Sequence, residues 1–378
     1  MRIAHFLPHY PGRDGSAAFC RGLSRTLNRI EPSYCPIISL RSGKIKQAEN
    51  EEIIHYPNEG RRTPFHLPKC MLADLARNTH KLDGLVLHGT FNPPMATMGK
   101  HLRKHGIPYI FIPHDPYVDP LLREHRYRKF FYWHLFEKQL ISGSRAVQLL
   151  DASHEKPLRD LGCEVKTIVV PNGCEPEMLN DLPHDARVPG VDSDETRILY
   201  FGRMDRNHKG LDLLLEGFAK VLAKAESHLT NVKLIMTGND WTDRKELEAL
   251  TAKLGITDQV TFTGRLPQCA MEIVADADLV ILPSRFDGFG LCIVEAMLAA
   301  RPVIVSSKAG VSSHVDKASG GWLTEPKAEA IAAAISTAIA CRHEWKDKGL
   351  KNQAYVQNYL TWEQVAHQTR QAYSSVFT

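Results

Sequence analysis

The chain has 378 residues with ordinary hydrophobic and charged fractions, enough for two separate cores and about two domains. No apolar run approaches the roughly 18 residues of a membrane span, and the apolar start Met1–Leu7 meets Pro8 too soon for a signal peptide. The eight cysteines form no C-x-x-C pair, so the sequence argues for free thiols in a reducing cytoplasm and against disulfides or a structural metal. Residues 1–180 hold 25 Lys+Arg against 18 Asp+Glu, whereas residues 181–378 hold 22 against 25. Twelve of the 18 histidines also lie in the first part. A basic N-terminal half suits an anionic partner such as a phosphate-bearing substrate or a lipid head group, but the excess is too small and dispersed for nucleic acid.

In chain order, strands are expected at 2–7, 36–40, 84–88, 108–113, 146–150 and 166–170. Amphipathic stretches lie between several of them. Ser16–Arg29 brings Phe19, Leu23 and Leu27 into register, and Leu121–Leu140 is a second example. The turn Pro171-Asn172-Gly173 and the polar, acidic stretch 176–195 mark a linker. Short buried strands then follow at 197–201, 232–236, 259–262, 279–282 and 302–305, with helices at 211–225, 243–254, 291–300 and 328–341. The end, 345–377, is helical and amphipathic. Strand–helix alternation of this kind gives an α/β chain of two doubly wound parallel sheets, which bind ligands at their strand C-termini.

Two strand–loop–helix stretches carry chemistry. The first runs Pro283-Ser284-Arg285-Phe286-Asp287-Gly288-Phe289-Gly290-Leu291-Cys292-Ile293-Val294-Glu295. Its glycines let backbone approach a ligand, and free amides at the helix start suit a phosphate or sugar hydroxyl. Glu295, one to two turns into the helix, leans back toward the same place and has two acceptor oxygens for a ribose diol. The bland reading is an Asp-Gly turn and a dipole-matched glutamate. The second stretch, Tyr200-Phe201-Gly202-Arg203-Met204-Asp205 through Lys209-Gly210-Leu211, places two cations on a loop after the domain's first strand. These suit a diphosphate and the charge that develops on it. Two solvated loop cations are the alternative.

Together these stretches resemble the retaining family 4 glycosyltransferases of GT-B fold, most strongly over about 197–325. Gly202-Arg203, Lys209-Gly210-Leu211, Asp287 with Gly-Phe-Gly-Leu behind it, Glu295-Ala296-Met297, Arg301-Pro302-Val303-Ile304, Gly321-Trp322-Leu323 and Thr361-Trp362-Glu363 carry the resemblance. It implies two facing Rossmann-like domains. An acceptor-side domain would span 1–175 and a donor-binding domain 190–360, with a final helix, 361–378, crossing back onto the first. It implies a retaining hexosyltransferase that moves sugar from a UDP- or GDP-linked donor to a glycan, lipid-linked glycan or other hydroxyl acceptor. The setting would be bacterial surface polysaccharide or glycoconjugate synthesis.

By the same resemblance Glu295 binds the ribose, and Asp287 with the amides of Gly288, Phe289 and Gly290 holds sugar hydroxyls beside Leu291. Arg203 and Lys209 take the diphosphate next to Gly202, and the base lies near Arg265. His114, in Pro113-His114-Asp115-Pro116, faces the sugar, and Gly15 belongs to a glycine-rich acceptor and phosphate loop. His114, Arg203, Lys209 and Asp287 are the catalytic set; no metal and no cofactor are expected. Asp at 287 where the family more often has Glu is one methylene shorter. A nucleotide-sugar epimerase of similar fold, or a non-catalytic donor-binding subunit, is the alternative. The basic, aromatic run Arg123–Trp133 fits either a helix with an aromatic core face, the favoured reading, or contact with the inner face of a membrane.

Overall fold

The computed structural model describes residues 1–377 except 13, 31–32, 41–50, 58–62, 119–121, 123–124, 192–194, 225–230, 239–242 and 265–269. The chain divides into two units, Met1–Gly173 with Trp362–Thr378, and Cys174–Thr361.

In the first unit the strands are β1 (Ile3–Phe6), β2 (Ile37–Ser39), β3 (Ile53–His55), β4 (Gly84–His88), β5 (Tyr109–Ile112), β6 (Ala146–Leu149) and β7 (Thr167–Val169). They form one parallel sheet in the order β3-β2-β1-β4-β5-β6-β7. β1, β4, β5 and β6 are buried along their whole length, which is why they read as near-continuous apolar runs rather than as alternation. The order reverses between β1 and β4, the switch point where open α/β sheets bind ligands. The helix Gly15–Arg29 starts there; the Asp14 carboxylate accepts from the Ala17 amide at 2.9 Å and caps it.

The final helix, Trp362–Phe377, packs on this first unit. Val365, Ala366, Thr369 and Tyr373 make its buried face. The Trp362 ring lies so close to Gly22 that a Cβ there would sit 2.0 Å from it, so only glycine admits this crossing. The Tyr373 hydroxyl donates to Gln148 Oε1 on β6 at 2.7 Å.

The second unit repeats the plan with β8 (Thr196–Phe201), β9 (Val232–Thr237), β10 (Val260–Thr263), β11 (Leu279–Leu282), β12 (Val303–Ser306) and β13 (Gly321–Thr324). All pairs are parallel, in the order β10-β9-β8-β11-β12-β13, with the switch point between β8 and β11. Helices Leu211–Leu222 and Ala328–Ala340 pack together. Each fully buried Leu or Ile, such as Leu214 or Ile331, contributes roughly 1.5–3 kcal/mol.

Some elements differ from the sequence expectation. The three- and four-residue edge strands β3 and β13 and the helices Lys69–Arg77 and Pro93–Lys104 are additional to the expected elements. The stretch expected as one helix over 121–140 is, where described, a helix Arg126–Tyr132, a π-helical turn Trp133–Glu137 and a helix Lys138–Ser142. Its inward face is Trp133, Glu137, Leu140 and Ile141, so the expected aromatic core face is corrected. Tyr127, Phe130, Phe131 and Leu135 are 57–75% exposed, Phe130 among them although it lies three residues before the buried Trp133. Among the described residues no helix is long and apolar enough to cross a membrane.

Candidate functional site

In the second unit the loops after β8 and β11 meet at the switch point. Gly202 extends β8, its amide donating to the Thr237 carbonyl at 2.9 Å. The next turn, Arg206–Lys209, is capped by Asp205 and ends at Gly210, whose φ of 64° suits glycine. Arg285, in the β11 loop, welds the two loops together. Its guanidinium donates to both Asp212 oxygens at 2.8 Å and to the Arg206 carbonyl at 2.7 Å.

This weld brings Lys209 and Asp287 together, 78 residues apart in sequence. Lys209 Nζ lies 2.5 Å from Asp287 Oδ2, with both side chains under 15% exposed. Asp287 also accepts from Ser284 Oγ at 3.3 Å and, more weakly, from the Phe289 amide at 3.4 Å. Burial works against both charges, but each partner outweighs it. The Lys209 pKa is raised and the Asp287 pKa lowered, so both stay ionised. Arg203 is exposed, its carbonyl accepting from the Tyr200 hydroxyl at 2.6 Å, and its charge acts on Lys209.

After Asp287 the loop forms a bridge with Ala309, and Gly290 turns it into the helix Leu291–Leu298. Gly290 has φ 99° with Leu282 and Val311 side chains where a Cβ would go, so it must be glycine. Among the described residues, the amides of Gly288, Gly290 and Leu291 donate to no group. Glu295 is half-buried and, among the described residues, its carboxylate has no hydrogen-bond or ion-pair partner. Burial alone pushes its pKa up to about 7. The Cys292 thiol, pushed up to about 12 by burial, feels Lys209, Asp287 and Glu295, which marks the cluster as one site.

The expected residues therefore fall in two groups. Gly202, Arg203, Lys209, Asp287, Gly288, Phe289, Gly290, Leu291 and Glu295 gather at the second unit's switch point. Gly15 and His114 lie in the first unit, and Arg265 lies outside the described residues. Gly15 is exposed at the start of its helix. His114 follows β5 at φ 67°, a strained conformation for a residue with a Cβ.

His114 ends a chain that the sequence did not suggest. His5 Nδ1 lies 2.8 Å from His88 Nε2, and His88 Nδ1 lies 2.9 Å from His114 Nε2. Cys20 Sγ is 3.6 Å from His88 Nε2, and the Phe19 ring lies against all three imidazoles. Burial, more than mutual repulsion, lowers His5 to about 3 and His88 well below the ordinary range; burial also takes His114 to about 4, against the pull of the Asp14 carboxylate. The rings are neutral near pH 7.

His5, Cys20 and His88 are near enough to suggest a metal triad. Two ligands of one zinc at about 2.0–2.1 Å stand roughly 3.3 Å apart. The 2.8 Å contact is instead a hydrogen bond, and burial holds Cys20 as a thiol. The sequence also has two Asp-x-Asp pairs. The pair at 192–194 lies outside the described residues. Asp276 and Asp278 are ion-paired with Arg197 and Arg187 respectively, a structural use.

Residues 195–341 match the family model Glycosyl transferases group 1. The chain is 29% identical over 247 residues, 62% of its length and 51% of the relative's, to the D-inositol 3-phosphate glycosyltransferase of Geodermatophilus obscurus. It is 32% identical over 212 residues, 52% and 54% of the two chains, to the lipopolysaccharide 1,2-N-acetylglucosaminetransferase of Salmonella typhimurium. These matches span about half the length of those relatives. The sucrose-phosphate synthase of Thermosynechococcus elongatus superposes with TM-score 0.78 at 21% identity, covering 100% of this chain and 99% of that one. The chain thus has the GT-B fold, and its residues 195–341 are similar to the group 1 glycosyl transferases.

Proposed function

We propose, from that similarity and fold, that the chain is a retaining glycosyltransferase using a UDP- or GDP-linked sugar. The observation that carries the reading is Glu295, a carboxylate with a raised pKa and no partner among the described residues, on the helix that follows the Asp287 loop. A ribose diol supplies the two donors Glu295 lacks. The diphosphate supplies charge for Arg203 and Lys209, and the unused amides of Gly288, Gly290 and Leu291 suit phosphate or sugar oxygens. Asp287 then accepts from a sugar hydroxyl.

In the reaction the bond from the anomeric carbon to the leaving phosphate oxygen breaks and the bond to the acceptor oxygen forms on the same face. The leaving phosphate takes the acceptor's proton, so no protein base is required. Arg203 and Lys209 stabilise the phosphate charge as it grows. With these cations present the step needs no divalent ion or cofactor. Transfer that vanishes with EDTA and returns with Mn²⁺ refutes that point.

The acceptor we infer is a glycan or lipid-linked glycan of a bacterial surface polysaccharide, met in the cytoplasm at the inner membrane face. The exposed Tyr127, Phe130, Phe131 and Leu135 beside Arg126, Arg128 and Lys129 support the lipid surface. Binding to phosphatidylglycerol vesicles, absent with phosphatidylcholine, is expected.

The deciding experiment incubates the chain with nucleotide sugars, with and without acceptor, and follows the early product by NMR. An α-linked donor gives an α-linked glycoside. A β-linked product overturns retention, conversion of donor alone indicates an epimerase, and no conversion with tight binding indicates a donor-binding subunit.

A further inference from the structure

We propose that His5 and His88 are positioning residues that fix the tautomer of His114, so that His114 presents Nδ1–H, a hydrogen-bond donor, at the first unit's switch point. That the recipient is a sugar oxygen rests on the transferase reading; the tautomer itself does not.

The argument is one of counting protons. A neutral imidazole carries one N–H, and each of the two contacts in the chain needs one proton. Only two arrangements satisfy both contacts. In the first, every ring is protonated at Nδ1. His5 then donates to His88, His88 donates to His114 Nε2, and His114 Nδ1–H is left over. In the second, every ring is protonated at Nε2. The chain runs the other way, and the leftover N–H is on His5 Nε2.

The inner end decides between them. His5 is fully buried and, among the described residues, its Nε2 has no partner. The second arrangement strands an N–H there, whereas the first leaves only a lone pair; orphaned buried donors are the rarer defect. The Cys20 thiol stays protonated, and in the first arrangement its S–H, 3.6 Å from His88 Nε2, shares the lone pair that already accepts from His5, so the inner end of the chain carries the choice. At the outer end, His114 is the one ring of the three that is not fully buried, and its Nδ1 has no partner among the described residues. Asp14 is the charge that acts on it, in the direction that favours a proton. A neutral Nδ1–H donates to an oxygen lone pair and does not remove a hydroxyl proton, so His114 orients the sugar.

The test is a long-range proton–nitrogen NMR correlation on the full chain labelled at histidine nitrogen. The expected spectrum shows His5, His88 and His114 with protonated Nδ1 and bare Nε2. His114 protonated at Nε2, or averaging between the two forms, overturns the proposal. So does stoichiometric zinc that shifts the His5 and His88 nitrogens and is removed by chelation. His5→Phe keeps the bulk but removes the first donor, so His114 should shift toward Nε2–H. His5→Asn places an amide donor near the same position and should restore Nδ1–H. An unchanged His114 signal in His5→Phe also overturns it. If that variant does not fold, the unsubstituted spectrum still decides. In transfer assays His5→Phe should lower kcat up to about tenfold, the worth of one hydrogen bond, with nucleotide affinity unchanged. A chain with the expected tautomers but no transfer refutes the transferase reading and leaves this one standing. Transfer with His114 as Nε2–H does the reverse.

Discussion

The two units share a parallel, doubly wound plan, yet their switch points differ in electrostatics. In the first unit the ends of β1, β4 and β5 meet in three neutral imidazoles under a phenylalanine ring. In the second the ends of β8 and β11 meet in a buried ion pair beside a carboxylate and amides that have no partner among the described residues. Topology sets where each site lies, and the side chains at the strand ends set what it can meet. A buried charge persists only with a partner, internal or brought by a ligand. The second unit therefore suits a charged, diol-bearing ligand, and the first suits neutral hydroxyls.

The largest effect should come from Lys209→Ala. Loss of one preorganised cation costs about 10²–10³ in kcat. It also leaves Asp287 buried without its cation, and breaking such a pair costs about 3–5 kcal/mol. Arg203→Ala should lower kcat with a smaller loss of Tm than Lys209→Ala, because Arg203 is exposed whereas Lys209 is paired with Asp287 in the interior. Steady-state kinetics and thermal melts of both variants check this. Equal losses of Tm would end the distinction between a buried cation that builds the site and an exposed one at its edge.

Acid should separate the units next. The three histidines are depressed when folded, two of them to about 3 and about 4. In the unfolded chain they take up protons near pH 6.5. Stability is thus fully present above that value and falls as pH drops from about 6.5 toward 4, by up to about 1.4 kcal/mol per pH unit per ring. Glu295 has the opposite sign. Its folded pKa of about 7 lies above the unfolded value, so the folded state holds the extra proton and gains stability as pH falls through 7. His5→Phe should flatten the acid loss in denaturant titrations. Glu295→Gln should stabilise the chain more at pH 8 than at pH 5. An acid slope unchanged in His5→Phe breaks the first half of this contrast.

How much of this was legible in the sequence depends on what brings residues together. Asp287, the glycines and Glu295 form one loop–helix segment, so their grouping follows from local spacing. The Lys209–Asp287 contact depends on β8 lying beside β11, which no local pattern states. His5, His88 and His114 meet only because β1, β4 and β5 are neighbours, with His5 opposite Val86 and His88 opposite Ile112. A histidine at or near the C-terminal end of each of three successive sheet positions was the available signal, hidden among twelve in that part of the chain. The 121–140 stretch misled because adjacent aromatics look like a core face, whereas the inward spacing is 133, 137, 140 and 141. The edge strands β3 and β13 are too short for periodicity to register.

The smallest effect concerns Glu295 and the ligand, and it tests whether the second unit's charge is held for a diol. Charge-assisted hydrogen bonds contribute about 1.5–3 kcal/mol, so Glu295→Gln should weaken nucleotide binding by about tenfold or more. The same pair of proteins should differ in pH dependence. Accepting from two hydroxyls requires the ionised carboxylate, and without ligand that form dominates only above about pH 7. Binding must then drive proton release below pH 7, and affinity should rise from pH 6 to 8 and level off above. A nucleotide sugar is the right probe, because its diphosphate has no group that titrates near neutrality. Calorimetry in two buffers of different ionisation enthalpy would read the released proton directly. The Gln variant should bind with flat pH dependence and no proton release. If both proteins show the same pH dependence, Glu295 does not meet the ribose, and its raised pKa reflects burial alone.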